Sequence, residues 1–174
     1  MKKLNSSRIN FFCYVKGDDE EMMAAIFGRK QILHENAILQ GYEMCIQTAK
    51  NITDKILPTC KESCSPREIL TEKRGPQFEL YTIRPNPKKN LGGVVWYVNN
   101  EEYEYLRQYE LIDCGISEDI VAKAITDKGE TITVSTYGLD TDVNNITKVV
   151  AEDYKRPEIP KSEKMKAATE MRNT

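Results

Sequence analysis

Residues 119–139 constrain the fold of this chain more than any other stretch. In DIVAKAIT (119–126), Ile120, Ala122 and Ala124 alternate with Val121, Lys123 and Ile125, so the two sets face opposite sides of an extended strand. DKGE (127–130) is a hairpin turn, and TITVSTYGL, from 131, is the returning strand. The chain is thereby committed to antiparallel pairing.

The other segments fit the same plan. RINFFCYV (8–15) is dense in β-branched and aromatic side chains and reads as a strand buried on both faces. The acidic run Asp18, Asp19, Glu20 and Glu21 opens EEMMAAIFGRK, which suits a short helix. Acidic groups favour the positive end of the helix dipole, and Gly28 supplies a stop. ILHENAIL (32–39) and GYEMCIQT (41–48) follow around Gly41. In the second, Tyr42, Met44 and Ile46 alternate with polar neighbours, which predicts a half-buried strand. FELYTI (78–83) alternates up to Pro85, RPNPKKN (84–90) reads as a turn, and GGVVWYV (92–98) as a strand. Trp96 and Tyr97 point to opposite faces, so one of them belongs to the core. Asn99 or Asn100 caps a helix with Tyr103, Leu106 and Tyr109 spaced three apart. Strands near 9–15, 41–48, 78–83, 93–98, 119–126 and 131–137 are expected to form one mostly antiparallel, closed or nearly closed sheet. That is an α+β arrangement, not a doubly wound parallel sheet.

Residues 49–76 are different in kind, rich in Lys and Glu and carrying Pro58, Pro66 and Pro76. They read as an insertion with one short surface helix. Ser65 is its N-cap, Pro66 its first residue, and Glu68 lies three after the cap. Residues 151–174 are charged and poor in large apolar side chains, so a loosely docked tail is expected, with one or two helical turns near 161–171. The 174 residues thus divide into one domain over 1–150, interrupted at 50–76, and a charged tail over 151–174.

Composition removes several functions. There are 25 Lys+Arg against 27 Asp+Glu, no basic surplus for a broad nucleic-acid surface. No apolar run approaches the ~20 residues of a membrane-spanning helix. The stretch Phe11–Val15 is too short for a secretory core. A cytoplasmic protein with no nucleic-acid or membrane partner is expected. Cys13, Cys45, Cys60, Cys64 and Cys114 are odd in number and scattered, which fits reduced thiols. Cys60 and Cys64 would need two further ligands to hold zinc, and the chain has one histidine, His34. His34 lies among apolar positions in QILHENAIL and reads as a partly buried structural residue. No GxxxxGK[ST], GxGxxG or GxSxG occurs. Chemistry is therefore left to carboxylates, tyrosines and backbone amides.

The stretch TIRPNPKKNLGGVVWYVNNEEYEYLRQYE (82–110) resembles the hallmark of the γ-glutamylcyclotransferase-like family. That hallmark is a T-I, a proline turn, G-V-V-W-x-V, then L-D-x-x-E. The matching residues are Thr82, Ile83, Gly93, Val94, Val95, Trp96, Val98, Leu106 and Glu110. FFCYV is similar to the family's first strand, which ends in a Y-G-S-N or Y-G-T-L loop. FGRKQILHENAILQGYEM resembles the segment leading into its second strand, and DIVAKAITDKGETITVSTYGL its closing hairpin. The likeness runs from residue 9 to residue 140. It implies a small mixed β-barrel, mostly antiparallel, with a few packed helices and a pocket near the end of the first strand. It also implies cleavage of a small γ-glutamyl amide without water, cofactor or metal. The substrate's α-amine attacks its own γ-carbonyl, giving 5-oxoproline and a released amine. Glu110 matches the family's single acid/base glutamate. Tyr14, Val15, Lys16 and Gly17 match the loop whose backbone N–H groups hold the substrate's α-carboxylate, and Tyr137 matches a tyrosine near the pocket.

Ring closure needs a base, because an ammonium is not a nucleophile. A carboxylate in partly apolar surroundings has a raised pKa and is a better base, and Glu110 is flanked by Tyr109, Leu111 and Ile112. By pattern alone it is a solvated helix-end glutamate following Glu101, Glu102 and Glu104, and Tyr137 is equally a core aromatic of a strand. The chain departs from the family at Val15, where glycine permits close backbone approach, and again at Lys16 and Gly17. Arg107 stands at the usual aspartate, and no tyrosine follows Glu110 in ELIDCGIS. Two functions follow. One is a γ-glutamylcyclotransferase-like enzyme. The other is a non-catalytic module of the same fold that holds another small ligand or a protein partner, with the insertion and the tail as contact surfaces.

Overall fold

A computed structural model of the chain describes residues 8–14, 20–29, 32–48, 52, 54–56, 64–109, 117–139, 148–149, 162 and 165–166. In order these form β1 (Ile9–Cys13), α1 (Glu20–Phe27), β2 (His34–Thr48), α2 (Pro66–Arg74), β3 (Glu79–Val98), α3 (Asn100–Tyr109), β4 (Ser117–Thr126), β5 (Thr131–Leu139) and β6 (Lys148–Val149). Neighbours run β3-β1-β5-β4-β2, and β2 pairs again with β3, so five strands close into a barrel. Closure leaves those strands without a free edge. Every pairing among the described residues is antiparallel except β1 with β5, which is parallel and in register at Phe11↔Ser135. The expected hairpin is present, with Ile125 opposite Thr131 and Asp119 opposite Tyr137.

Both faces of the strands are packed, since consecutive residues, which point to opposite sides of a strand, are buried together in β1 and in β3. Phe11, Phe12 and Cys13 of β1, Ala37 and Leu39 of β2, Val94, Val95, Trp96 and Val98 of β3, Ala124 of β4 and Val134 and Tyr137 of β5 join one buried cluster. Met22, Met23 and Ile26 of α1 and Leu106 of α3 complete it. Trp96 is the core member of its pair. Tyr97 is half-buried and donates its hydroxyl to Glu35 Oε2 at 2.6 Å. β1 lies very close to β3. A Cβ on Gly93 would stand 2.6 Å from both the Cys13 carbonyl oxygen and Phe12 Cζ, so glycine is what lets the two strands meet.

Two expectations change. β2 begins at His34, seven residues before Gly41, and β3 runs unbroken through the segment read as a turn. In 34–40, Ala37 and Leu39 point inward, but Ile38 on the outward face is also apolar and 48% exposed, which hides the alternation. In β3 the register steps from Gln40↔Asn90 to Tyr42↔Pro85. Residues 86–89 therefore bulge opposite Gly41, whose φ of 80° suits a residue without Cβ. Proline has no N–H for a ladder. Here Pro85 borders the bulge and Pro87 lies within it, so the strand continues. Beyond the bulge, 42–48 and 79–85 extend as a two-stranded arm, flanked by β6 at Cys45↔Val149 and Ile46↔Lys148.

Helix α2 starts as expected. Ser65 Oγ accepts the Glu68 N–H at 3.2 Å and donates to Glu68 Oε1 at 3.1 Å, with proline in the first turn. It lies at the surface, with Glu68 and Glu72 exposed, and one side of it is covered. Ile69 and Leu70 are buried, because these two adjacent apolar residues give the charged helix one side to hide. Arg67 Nη2 ties it to the Ile52 carbonyl at 2.7 Å. In the tail, residues 162, 165 and 166 are helical; the rest of 151–174 lies outside the described residues.

Candidate functional site

Strands β1 and β5 run parallel, so their C-terminal ends lie at the same end of the barrel. Tyr14 directly follows β1, and its buried hydroxyl donates to the Tyr137 carbonyl oxygen at 2.7 Å. The two rings lie 4.8 Å apart at 30°. One strand pair back, the Thr136 hydroxyl donates to the Phe12 carbonyl at 2.8 Å. These two buried side-chain bonds fasten the parallel seam, where the ladder itself contributes a single register pair. They also fix the point from which the chain leaves β1 into residues 15–17.

An aromatic row leads from this seam to α3. Phe11 stacks on Tyr137 at 6.3 Å and meets Tyr103 edge-on at 6.0 Å. Tyr103 donates its hydroxyl to Asp119 Oδ1 at 2.9 Å, and Arg107 Nη1 donates to Asp119 Oδ2. Burial, with the Asp119 hydrogen bond second, pushes the Tyr103 hydroxyl above its ordinary pKa, which keeps it a donor. Asp119 faces Tyr137 across the hairpin. The end of β1, the end of β5 and the body of α3 are therefore in one connected group.

The start of α3 is held from the other side. Asn99 Oδ1 accepts the Glu102 N–H at 2.8 Å while Glu102 Oε1 accepts the Asn99 N–H at 3.0 Å, a reciprocal cap. Asn99 is thus the cap residue. Glu102 is 4% exposed. Arg29, just after α1, reaches it through both Nε at 2.5 Å and Nη2 at 3.0 Å. Burial raises the Glu102 pKa, but the Arg29 hydrogen bonds, the Asn99 amide and the Arg29 charge outweigh it and hold the carboxyl below the usual range. The spacing of Asn99 and Glu102 was a visible signal for this cap; the partnership with Arg29, 73 residues away, had none.

Of the residues singled out in the sequence, Tyr14 and Tyr137 are brought together. Glu110, Val15, Lys16 and Gly17 lie outside the described residues, and α3 ends at Tyr109, the residue before Glu110. His34 is structural: its ring stacks on Trp96 at 4.3 Å, Nδ1 lies 2.8 Å from the Ile32 carbonyl and Nε2 lies 2.9 Å from Glu20 Oε1. Cys13 and Cys45 are buried, and burial pushes the Cys45 thiol up to about 11, far from a reactive thiolate. Among the described residues no three potential metal-ligating side chains come together, and no helix is long and apolar enough to cross a membrane.

No protein-family model and no curated protein matches the sequence. Solved structures do. An uncharacterized protein from Homo sapiens superposes with a TM-score of 0.57 at 21% identity, over 80% of this chain and 70% of that one. A γ-glutamyl cyclotransferase gives 0.57 at 19% identity, over 82% and 70%. An Arabidopsis thaliana protein gives 0.50 at 17%, over 79% and 72%. At such identities the likeness is one of fold, and it agrees with the resemblance read from residues 82–110: this chain is built on the γ-glutamyl cyclotransferase-like barrel.

Proposed function

We propose that the protein is a γ-glutamylcyclotransferase-like enzyme that releases 5-oxoproline from a small γ-glutamyl amide, with Glu110 as its acid/base. One observation carries this reading. The parallel seam fastens Tyr14 to Tyr137 by a buried 2.7 Å hydrogen bond and connects through Phe11 and Asp119 to α3, whose last residue, Tyr109, precedes Glu110 in the sequence. This supports a reading in which the segments that the resemblance assigns to the site share one end of the barrel.

The reaction follows from the groups available. Glu110 takes a proton from the substrate's α-ammonium, and the freed amine attacks the γ-carbonyl carbon. A C–N bond closes the five-membered ring. The amide C–N bond then breaks, with Glu110 returning that proton to the departing nitrogen; the surplus proton of the ring nitrogen leaves through the same carboxylate and ends on the released amine, which departs as an ammonium. No water is consumed, and the carboxylate ends as it began. Backbone N–H groups of 15–17 hold the α-carboxylate, Lys16 adds a charge-assisted bond, and Tyr14 and Tyr137 form a rigid wall that keeps amine and carbonyl in reacting range.

Glu110→Gln tests the assignment. Glutamine keeps the size but cannot take the proton, so 5-oxoproline release from γ-glutamyl amines and dipeptides is expected to fall ~10²–10⁴-fold. Retained release by the variant removes Glu110 from the mechanism. A second reading, a non-catalytic module holding a small ligand or a protein partner, is favoured by Val15, whose branched side chain stands where the family has glycine. Under it the wild type is inactive on the whole panel and Val15→Gly restores nothing.

A further inference from the structure

We propose that Asp119, Arg107 and Tyr103 form a clamp that sets the position of the last turn of α3 and, through it, of Glu110; this rests on the reading of Glu110 as the acid/base. Tyr103 and Arg107 are four residues apart, so they share one helix face. Both reach the same carboxylate, and each takes one oxygen: Tyr103 Oη donates to Oδ1 at 2.9 Å and Arg107 Nη1 to Oδ2. The guanidinium also lies 5.8 Å over the Tyr103 ring, and its Nε is 3.7 Å from Glu104. On the far side of the contact, Asp119 is in register with Tyr137, which touches Tyr14. The clamp therefore joins α3 to the strand that carries the Tyr14–Tyr137 contact. Arg107 precedes Glu110 by three residues in the sequence.

The Asp119 side chain is 45% exposed, and an ion pair so open to solvent adds little to global stability. What it supplies is geometry. Arg107 stands where the family pattern has aspartate, so this tie belongs to this chain's own residues. Its three members are positioning residues, acting through α3.

The test uses the full chain with Asp119→Asn, Tyr103→Phe, and the charge exchange Arg107→Asp with Asp119→Arg, followed by 5-oxoproline release and amide hydrogen exchange. A misplacement of about 1 Å in a reacting group costs on the order of 10²-fold in rate. Asp119→Asn is expected to lower kcat ten- to a hundredfold with KM and thermal midpoint nearly unchanged, and Tyr103→Phe to lower it less. The charge exchange should restore most of the loss. Exchange should quicken at residues 106–109 while β1 and β5 stay protected. Unchanged kcat with unchanged exchange at 106–109 overturns the proposal, as does a loss of protection spread evenly over the barrel. Absence of release by the wild type sinks the acid/base reading of Glu110. The clamp is then decided by exchange alone, faster exchange confined to the end of α3 supporting it and none refuting it.

Discussion

Strands β2 and β3 pass through two halves of the molecule, and the halves are stabilised differently. In 34–40 and 90–96 they are staves of a closed barrel whose buried side chains belong to one continuous apolar cluster. In 42–48 and 79–85 they are an arm. Tyr42, Met44 and Ile83 still belong to or pack against the barrel cluster. Cys45 and Ile46 are buried outside it, as are Ile52, Ile69, Leu70 and Phe78. The arm also carries a buried carboxylate: Glu43 Oε1 accepts from Arg84 Nε and Oε2 from Asn86 Nδ2, each at 2.6 Å. Asn86 comes from the bulge itself, so this network pins the irregularity that separates the halves. A closed barrel satisfies its own backbone and needs mainly packing, whereas a two-stranded extension is marginal alone and recruits a helix and polar ties. Both tyrosines of the candidate site belong to the barrel.

Matched deletions in the two halves give the largest effect. Leu39 in the barrel and Leu70 on α2 are both 0% exposed, and a buried Leu→Ala change costs about 2–5 kcal/mol. Leu39→Ala is expected to lower the denaturation midpoint of the whole protein. Leu70→Ala should quicken amide exchange in 42–48 and 79–85 while the barrel amides stay protected. Uniform loss of protection in Leu70→Ala would show that arm and barrel unfold as one unit and end the distinction.

Neighbouring glycines sharpen it at the barrel seam. Gly93→Ala forces a Cβ against the β1 backbone and is expected to cost about 1–3 kcal/mol. Gly92→Ala places its Cβ where nothing lies within 4 Å and should be near neutral. Equal midpoints for the two variants in urea would mean that β1 and β3 yield at no cost.

The smallest effect concerns pH. Hydrogen bonds from Asn86 and Arg84 hold the Glu43 carboxyl below its ordinary 4.5 against the opposing effect of burial. Between the folded and ordinary values the unfolded state binds more protons, so stability rises with pH there. The contribution is complete above pH 4.5 or so and is lost as pH falls through the folded value. Glu43→Gln should therefore be less stable than wild type at pH 7, with the gap closing in acid, as read from urea midpoints over pH 3–7. Glu102, also held low, gives the barrel end the same sign. A gap independent of pH would assign the Glu43 effect to packing instead of charge.

Much of the fold was legible because its signals are local. The 119–139 hairpin, the Ser65–Pro66–Glu68 helix start and the Gly28 stop each depend on residues within one turn of each other. The two long strands were read short for reasons equally local: Ile38 puts an apolar side chain on the outward face, and Pro85 and Pro87 look like an ending. The site was legible as segments. That Tyr14 meets Tyr137 was not, since 123 residues separate them and neither carries a mark of the other.

By itself the sequence determined most element types, the antiparallel plan and the resemblance carried by Thr82 to Glu110, because periodicity, capping and turn chemistry act over a few residues. The tertiary structure decided the barrel's closure, the parallel pairing that aligns the ends of β1 and β5, and the partners of the acidic groups. Glu102, Glu43 and Asp119 look alike in the chain. Each was given its role by an arginine that folding brought to it: Arg29 and Arg84 from 73 and 41 residues away, Arg107 from 12. A carboxylate's burial and charge partner are properties of where it lies in space, not of its neighbours in sequence.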